Sequence, residues 1–220
     1  MIRLRYSAVL VLIISISLGI FGIAHKDSFT DIAHDENFMQ SLYVAELTEE
    51  IAEFECGVLV EALPNCAFIL KVKAVGAVDY RYEDGRQQVQ VIDVFSGESV
   101  KSGDIIYVTS PRWGLDLYDE LKSVERGFVN VLREGYEYLV FCSSLLDSAD
   151  SQTPTYQLFY ESYIAPVFCY TEFENVIVEP GDYGTYIPYM QVKDNEFFAA
   201  SEGALKKWME LKDYMISRYE

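Results

Sequence analysis

The sequence predicts a mainly β protein of the α+β class, with a small barrel of about five strands, an N-terminal membrane helix and a C-terminal amphipathic helix. Residues 68–80 alternate apolar and polar side chains, which is typical of a strand with one buried face. Asp84-Gly85 follows, a pair typical of two-residue hairpin turns. Residues 200–220 instead carry apolar side chains at helical spacing. These three observations place strands at the centre of the chain and a helix at its end.

The N-terminal residues 7–24 contain no charged side chain. As a helix rising about 1.5 Å per residue, such a run reaches roughly 27 Å, close to the thickness of a bilayer core. Arg3 and Arg5 precede the run, and this asymmetry predicts a cytoplasmic N-terminus and an extracellular remainder. Residues 1–24 are therefore a signal anchor, or a signal peptide cleaved near Ala24. We expect a single-pass protein of the cell membrane, or a secreted protein if the segment is cleaved.

Residues 25–36 are predicted to be a polar stalk, and residues 37–220 an exported domain with helices at both ends. The chain contains 17 basic and 35 acidic residues, which gives a formal net charge of -18. Arg3 and Arg5 precede the apolar run, so 15 basic residues face 35 acidic ones in the remainder, a net of -20. This charge repels phosphate backbones, and we expect no nucleic acid partner.

The other elements follow from changes of period along the chain. Residues 37–54 carry apolar side chains at helical spacing, and a shorter helix ends at Pro64. A third strand is predicted over residues 105–108, a helix over residues 115–126 and a fourth strand after Gly135. The apolar stripe of the C-terminal helix consists of Leu205, Trp208, Met209, Leu211 and Met215.

The apolar pattern changes phase within the second strand of the hairpin. With Asp84-Gly85 as the turn, Val78 faces Val91, but beyond this pair the apolar positions move to Ile92 and the even-numbered residues. A β-bulge, in which Val91 and Ile92 share Val78 as partner, restores a single buried face. Gly76 leaves room for the bulge on the first strand. The alternative is a strand that is buried on both faces and has no bulge.

This order of strand, long hairpin, strand, helix and strand is that of an OB barrel. Residues 58–145 resemble the netrin-like or tissue-inhibitor-of-metalloproteinase-like OB group, in particular its uncharacterised secreted or anchored bacterial members. The resemblance rests on the segments LVEALPNCAFILKVKAV, VQVIDVFSGESVKSGDIIYV and LREGYEYLVF. The animal inhibitors of that group insert an N-terminal cysteine into a protease zinc site. Cys56 and Cys66 are internal, so the resemblance does not imply inhibition by that route.

Four cysteines lie on the exported side, and an even number there favours disulfides. Three pairings are possible. We predict Cys56–Cys66 and Cys142–Cys169, because each closes a short loop between segments that are expected to be neighbours. The alternative is that some of the four are buried thiols. We expect no metal site, because no CxxC spacing occurs and both histidines lie in the stalk.

No sequence motif of a known catalytic site is found, and we expect no cofactor. The best candidate for binding is the segment after the third strand, with Arg112 and Trp113, because arginine and tryptophan dominate interface hot spots. The alternative for Trp113 is that it fills the open end of the barrel core. The sequence thus predicts a cell-surface or secreted binding module for a protein or glycan partner. An exported hydrolase that uses paired carboxylates is the alternative.

Overall fold

The computed structural model describes residues 15, 39–81, 84–117, 120–147, 153–179, 181–182 and 184–220. The chain divides into two compact units, Met1–Met39 and Gln40–Glu220, and nearly all described residues belong to the second. No helix within the described ranges is long and apolar enough to cross a membrane. The predicted membrane segment, residues 7–24, lies outside these ranges except for Ser15.

The described part contains nine strands and three helices, so the predicted mainly β, α+β class is confirmed. A 3-10 turn, Leu63–Asn65, follows the first helix. The strands are β1 (Tyr43–Ala45), β2 (Phe68–Arg81), β3 (Asp84–Ser96), β4 (Ile105–Asp116), β5 (Ser123–Glu125), β6 (Glu137–Leu146), β7 (Thr155–Leu158), β8 (Val167–Cys169) and β9 (Tyr186–Pro188). The helices are α1 (Glu49–Ala62), α2 (Tyr189–Val192) and α3 (Glu202–Arg218).

Five of the strands pair in a closed ring. β2 pairs antiparallel with β3 and β6, and β3 pairs antiparallel with β4. The ring closes through β7, which is parallel to β4 and antiparallel to β6. From β4 the sheet continues through β5 and β1 to β9, and β8 pairs with β6. Val72, Val91 and Val108 from three of the ring strands are buried in a common hydrophobic core.

β2 and β3 form the predicted hairpin, but their register differs from the predicted one. Arg81 pairs with Asp84, and Tyr80 pairs with Gly85. Asp84-Gly85 therefore belongs to β3 and is not the turn. Gly85 is required for a different reason, because a Cβ atom at this position would lie 2.5 Å from the carbonyl oxygen of Trp113 in β4.

The predicted bulge in β3 is present, but opposite a different part of β2. Val91 pairs with Val72, and the next paired residue of β3 is Asp93. Ile92 is therefore the extra residue, as the change of phase indicates. The predicted partner, Val78, is wrong because Arg81 already pairs with Asp84, and because a second irregularity in β2 between Ala74 and Val78 moves the register further.

A second irregularity of the hairpin lies in β2 between Ala74 and Val78. The buried side chain of Gln87 donates a hydrogen bond from Nε2 to the carbonyl oxygen of Gly76 at 2.7 Å. Nε2 of Gln87 also donates to the carbonyl oxygen of Leu132 at 2.5 Å, and Oε1 of Gln87 accepts from the backbone N–H of Leu132 at 3.0 Å. Gln87 thus satisfies backbone groups that the irregular pairing leaves free, and it fastens the segment before β6 to the ring.

Two predicted helices contain strands instead. β1 lies inside the helix predicted over residues 37–54, and α1 begins at Glu49. Leu42, Val44 and Glu46 are buried while the residues between them are partly exposed, so the segment has a period of two. The helix predicted over residues 115–126 is replaced by the end of β4 and by β5, which pairs with both β4 and β1.

The C-terminal helix is confirmed as α3. It begins after Ser201, whose hydroxyl oxygen accepts a hydrogen bond from the N–H of Ala204 at 3.1 Å. Trp208 in its centre stacks between Phe168 and Phe197, with ring centroids 4.8 Å and 4.6 Å away. The buried face of α3 therefore packs directly on the strand core, as its apolar stripe predicts.

Candidate functional site

Arg112 and Trp113, the predicted binding residues, lie in an irregular part of β4. Ser110 pairs with Gly85 of β3, and the next pair along β4 joins Gly114 to Asp84. Residues 111–113 are therefore extra residues that bulge from the ladder. The pattern of the sequence predicts a loop between a strand and a helix here, whereas the structure keeps this segment inside one long strand.

Trp113 points into the core. Its side chain is 0 % exposed and belongs to the main hydrophobic cluster, and its indole Nε1 has no hydrogen-bond partner. A ligand cannot reach the ring in this conformation. Trp113 is therefore a core residue and not a binding residue, which corrects the prediction in favour of its alternative.

Arg112 lies on the opposite side of this bulge, in a cavity of about 170 Å³. Its guanidinium carbon is 5.0 Å from the centroid of the Tyr163 ring. We call this cavity the arginine pocket. Its lining residues are Val44, Ala45, Arg112, Val124, Glu125, Arg126, Gly127, Phe128, Tyr163 and Tyr186.

Arg126, which sequence reasoning missed, is the second cation of the arginine pocket. It is only 3 % exposed, and its Nη2 donates a hydrogen bond to the Tyr80 hydroxyl at 2.6 Å. Nη1 donates to the carbonyl of Glu125 at 3.3 Å, and the guanidinium lies 5.6 Å from the centroid of the Tyr189 ring. These contacts fix the side chain at one position. The only local sign in the sequence is the Arg-Gly pair at residues 126–127.

The backbone after Arg126 brings the two arginines together. Gly127 and Phe128 have φ angles of 57° and 59°, and Phe128 is the one non-glycine residue with positive φ in the described part of the chain. A Cβ atom on Gly127 would lie 2.9 Å from Cβ of Arg112 and 3.1 Å from the N atom of Ala165. Glycine is therefore needed both for the left-handed conformation and for the close approach of three segments.

Neither arginine is paired with an acid among the residues that the structure describes. The Nε atoms of Arg112 and Arg126 are buried and have no hydrogen-bond partner, and no ion pair found among the described residues involves either side chain. Glu125 is the one acid that lines the pocket, and its Oε1 accepts a hydrogen bond from Ser123 at 3.3 Å. Buried donors without partners are rare and destabilising. The two Nε–H groups are therefore an unusual feature of this site.

No protein-family model and no curated protein matches the sequence. The resemblance of residues 58–145 to the netrin-like OB group therefore stays a prediction.

The loop that carries Tyr163 is held in place by α1. The buried carboxylate of Glu55 accepts a hydrogen bond from the Ser162 hydroxyl at 2.6 Å and from the N–H of Tyr163 at 3.1 Å. The Ser162 hydroxyl oxygen accepts in turn from the N–H of Ile164 at 3.0 Å. One wall of the arginine pocket is thus fixed to a helix that lies far away in the sequence.

The four cysteines are free thiols, and all are buried. β8 does pair with β6, as expected of the segments around Cys142 and Cys169, but Cys169 lies opposite Tyr138. Cys142 is four residues further along β6, about 13 Å at the usual rise of a strand. A disulfide needs Cα atoms within about 7 Å, so this register separates the predicted pair.

Cys56 and Cys66 are also kept apart. Cys56 lies in the middle of α1, and Cys66 follows the 3-10 turn after that helix.

Burial raises the pKa of both thiols, Cys56 and Cys66, to about 12, and it raises the pKa of Cys142 and Cys169 as well. Neutral buried thiols are poor nucleophiles and poor metal ligands. No cluster of side chains that could hold a metal ion is found in the described ranges.

Proposed function

We propose that this chain is a cell-surface or secreted binding or regulatory module, built on an OB-like barrel and without catalytic activity of its own. The closed ring of five strands supports the barrel, because an OB-fold is a small, partly open Greek-key barrel of five strands. An OB-fold binds its ligands with loops and one face of its strands. Such barrels carry many functions, so the fold alone does not assign one. The proposal therefore depends on the arginine pocket.

The proposed place of the module is the outer face of the cell membrane. The uncharged run of residues 7–24 and the arginines before it support a single membrane span with the domain outside the cell. Cleavage of the same segment gives a secreted protein. In either case we propose a protein or glycan partner at the cell surface.

One observation carries the binding function. Two arginine side chains meet in one pocket and keep buried Nε–H groups without acceptors, in a chain with 35 acidic and 17 basic residues. With so many carboxylates present, an arginine that serves only the fold can find a carboxylate partner. Two arginines that have no carboxylate partner therefore form a preformed receptor for an anionic group from outside the chain.

The test is thermal unfolding of the full chain, purified in detergent, with and without a panel of small inorganic and organic anions. A ligand that binds only the folded protein at 100 times its Kd adds about 2.7 kcal/mol to the free energy of unfolding. We expect at least one anion to raise the melting temperature in a saturable manner. The gain should disappear in Arg112→Met.

The matched control is Arg218→Met, which removes an exposed arginine at the end of α3. We expect this variant to respond to anions as the natural chain does. Equal loss in both variants would show that the effect is general charge screening. Turnover of a peptide or glycan by the purified protein, abolished by changing one carboxylate, would overturn the non-catalytic part of the proposal.

A further inference from the structure

Arg126 lines the arginine pocket and keeps N–H donors without acceptors, because a guanidinium has five N–H groups and its two side-chain hydrogen bonds use only two of them. Its terminal nitrogens donate to Tyr80 and to the backbone of Glu125, while Nε is buried and has no partner. The residue is 3 % exposed, so the side chain cannot turn outward to find water. Arg112 contributes a second buried Nε–H without a partner. The two guanidinium groups that line the pocket therefore keep N–H donors without acceptors.

The charge of the lining residues limits the kind of anion. Two arginines and one glutamate line the pocket, which leaves one net positive charge. A carboxylate carries one negative charge and two oxygen atoms. A phosphoryl group carries about −1.5 to −2 at neutral pH, so it would remain partly uncompensated and would face Glu125.

The walls of the pocket suit an apolar body behind the anionic group. Val44, Ala45, Val124 and Phe128 line it together with two tyrosines. Hydrogen bonds to charged groups are stronger where such walls reduce the local dielectric constant. The volume of about 170 Å³ admits a short carboxylic acid or an acidic side chain, and not a large ligand.

We propose that the arginine pocket binds a monoanionic carboxylate through the guanidinium groups of Arg112 and Arg126, which both line it. The proposal rests on the binding function proposed above and names its ligand class. Two sources carry this chemistry, a free short-chain acid and an acidic side chain of a polypeptide.

The test uses the arginine Hε–Nε resonances of the ¹⁵N-labelled full chain in detergent. Arg112→Lys and Arg126→Lys each remove one resonance and so assign it. Propionate, N-acetyl-glutamate amide, inorganic phosphate and sulfate are titrated at constant ionic strength. We expect the two carboxylates to shift both resonances in a saturable manner, with phosphate and sulfate binding at least tenfold more weakly. Tighter binding of the capped glutamate identifies a polypeptide side chain as the source, and tighter binding of propionate identifies a free acid.

The possible failures are distinguishable. Tighter binding of phosphate or sulfate at the same resonances overturns the carboxylate assignment and leaves the binding module standing. If no anion shifts either resonance, both the assignment and the binding function are overturned. Arg112→Lys is the informative variant if Arg126→Lys does not fold, because Arg112 is only half-buried. Arg218→Lys serves as the control and should retain the affinity for propionate.

Discussion

Gly85 determines how closely β3 and β4 approach each other. A Cβ atom there would lie 2.5 Å from the Trp113 carbonyl oxygen, a backbone atom that cannot move aside easily. We expect Gly85→Ala to lower the free energy of unfolding by about 1–3 kcal/mol, as overpacked core positions do. Gly76→Ala is the matched control, because a Cβ atom on Gly76 meets no atom within 4 Å. Urea unfolding of both variants checks this, and an unchanged midpoint for Gly85→Ala would contradict it.

Gly127 determines the position of Arg112. A Cβ atom there would lie 2.9 Å from Cβ of Arg112, and the φ angle of 57° is unfavourable for alanine. We expect Gly127→Ala to weaken propionate binding about tenfold, which corresponds to about 1.4 kcal/mol. Gly184→Ala introduces similar backbone strain at φ 67°, but its Cβ atom meets nothing within 4 Å. Equal affinity in the two variants would show that Gly127 does not position the arginine.

Glu46 is a buried acid whose two carboxylate oxygens accept no hydrogen bond from a side chain in the described part of the chain. Burial raises its pKa from 4.5 to about 7, and a backbone contact with Val178 offsets part of this. Below pH 4.5 the group is protonated in both the folded and the unfolded chain. As the pH rises to about 7 the unfolded chain releases the proton first, so the stability of the folded state falls.

Glu46→Gln should remove this dependence on pH. We expect the natural chain to lose on the order of 2–3 kcal/mol between pH 4.5 and 7 relative to the variant. Chemical unfolding of both proteins across this range measures the difference. Parallel curves would show that Glu46 does not titrate between these pH values.

At the scale of elements, α3 is tied to the strands by a buried ion pair. Nζ of Lys212 lies 2.6 Å from Oε2 of Glu196, and Oε1 of Glu196 accepts from the N–H of Cys169 in β8 at 2.8 Å. Both charged side chains are nearly inaccessible, at 3 % and 4 % exposure. Loss of one partner therefore leaves a buried charge without compensation.

Lys212→Met is expected to lower the free energy of unfolding by about 3–5 kcal/mol. The double variant Lys212→Met with Glu196→Gln should recover part of this loss, because no unpaired charge remains. Lys206→Met is the control. Its pair with Glu210 is exposed, so it should change stability by less than about 0.5 kcal/mol. An equally small effect of Lys212→Met would mean that Glu196 is neutral in the folded protein.

The sequence correctly predicts those elements whose apolar pattern fits only one type of secondary structure. α3 was found because its apolar residues fit only a helical period, and the bulge at Ile92 because it shifts the phase of a long alternation. β1 was missed because Leu42 and Ala45 fit a helix while Leu42 and Val44 fit a strand. The segment is a strand because it pairs with β5 and β9, which are distant in the sequence.

The hairpin turn was misplaced for a different reason. Asp84-Gly85 has the composition of a tight turn, but this glycine serves a contact with Trp113 in another strand. A glycine in a sequence indicates that a side chain is excluded, without showing whether a turn or a neighbour excludes it.

At the scale of the whole molecule, one of the two arginines of the arginine pocket could be predicted from the sequence. Arg112 was selected by its residue type, whereas Arg126 becomes visible only when β4, the segment after β5 and the loop held by Glu55 meet. Trp113 was selected for the same reason as Arg112 and lies on the other side of the bulge. Residue type alone does not show on which side of an irregular strand a side chain lies.

The orientation of the whole chain is a further prediction. The charge asymmetry around residues 7–24 predicts that the domain lies outside the cell. Protease added to intact cells is expected to remove an epitope placed after Glu220, while lysis should add no further loss. Protection of the epitope in intact cells would reverse the topology, and a soluble product that begins near His25 would show that the segment is cleaved.

The order of the strands limits the edges that another molecule could join. Within the closed ring every strand pairs with two neighbours, each over part of its length, and of the nine described strands only β8 and β9 have a single partner strand. Both contain three residues, Pro166 directly precedes β8, and Pro188 ends β9. Proline has no N–H to offer to an added strand, and short edges are poor templates for it. We therefore expect the folded domain to resist edge-to-edge aggregation even in concentrated solution.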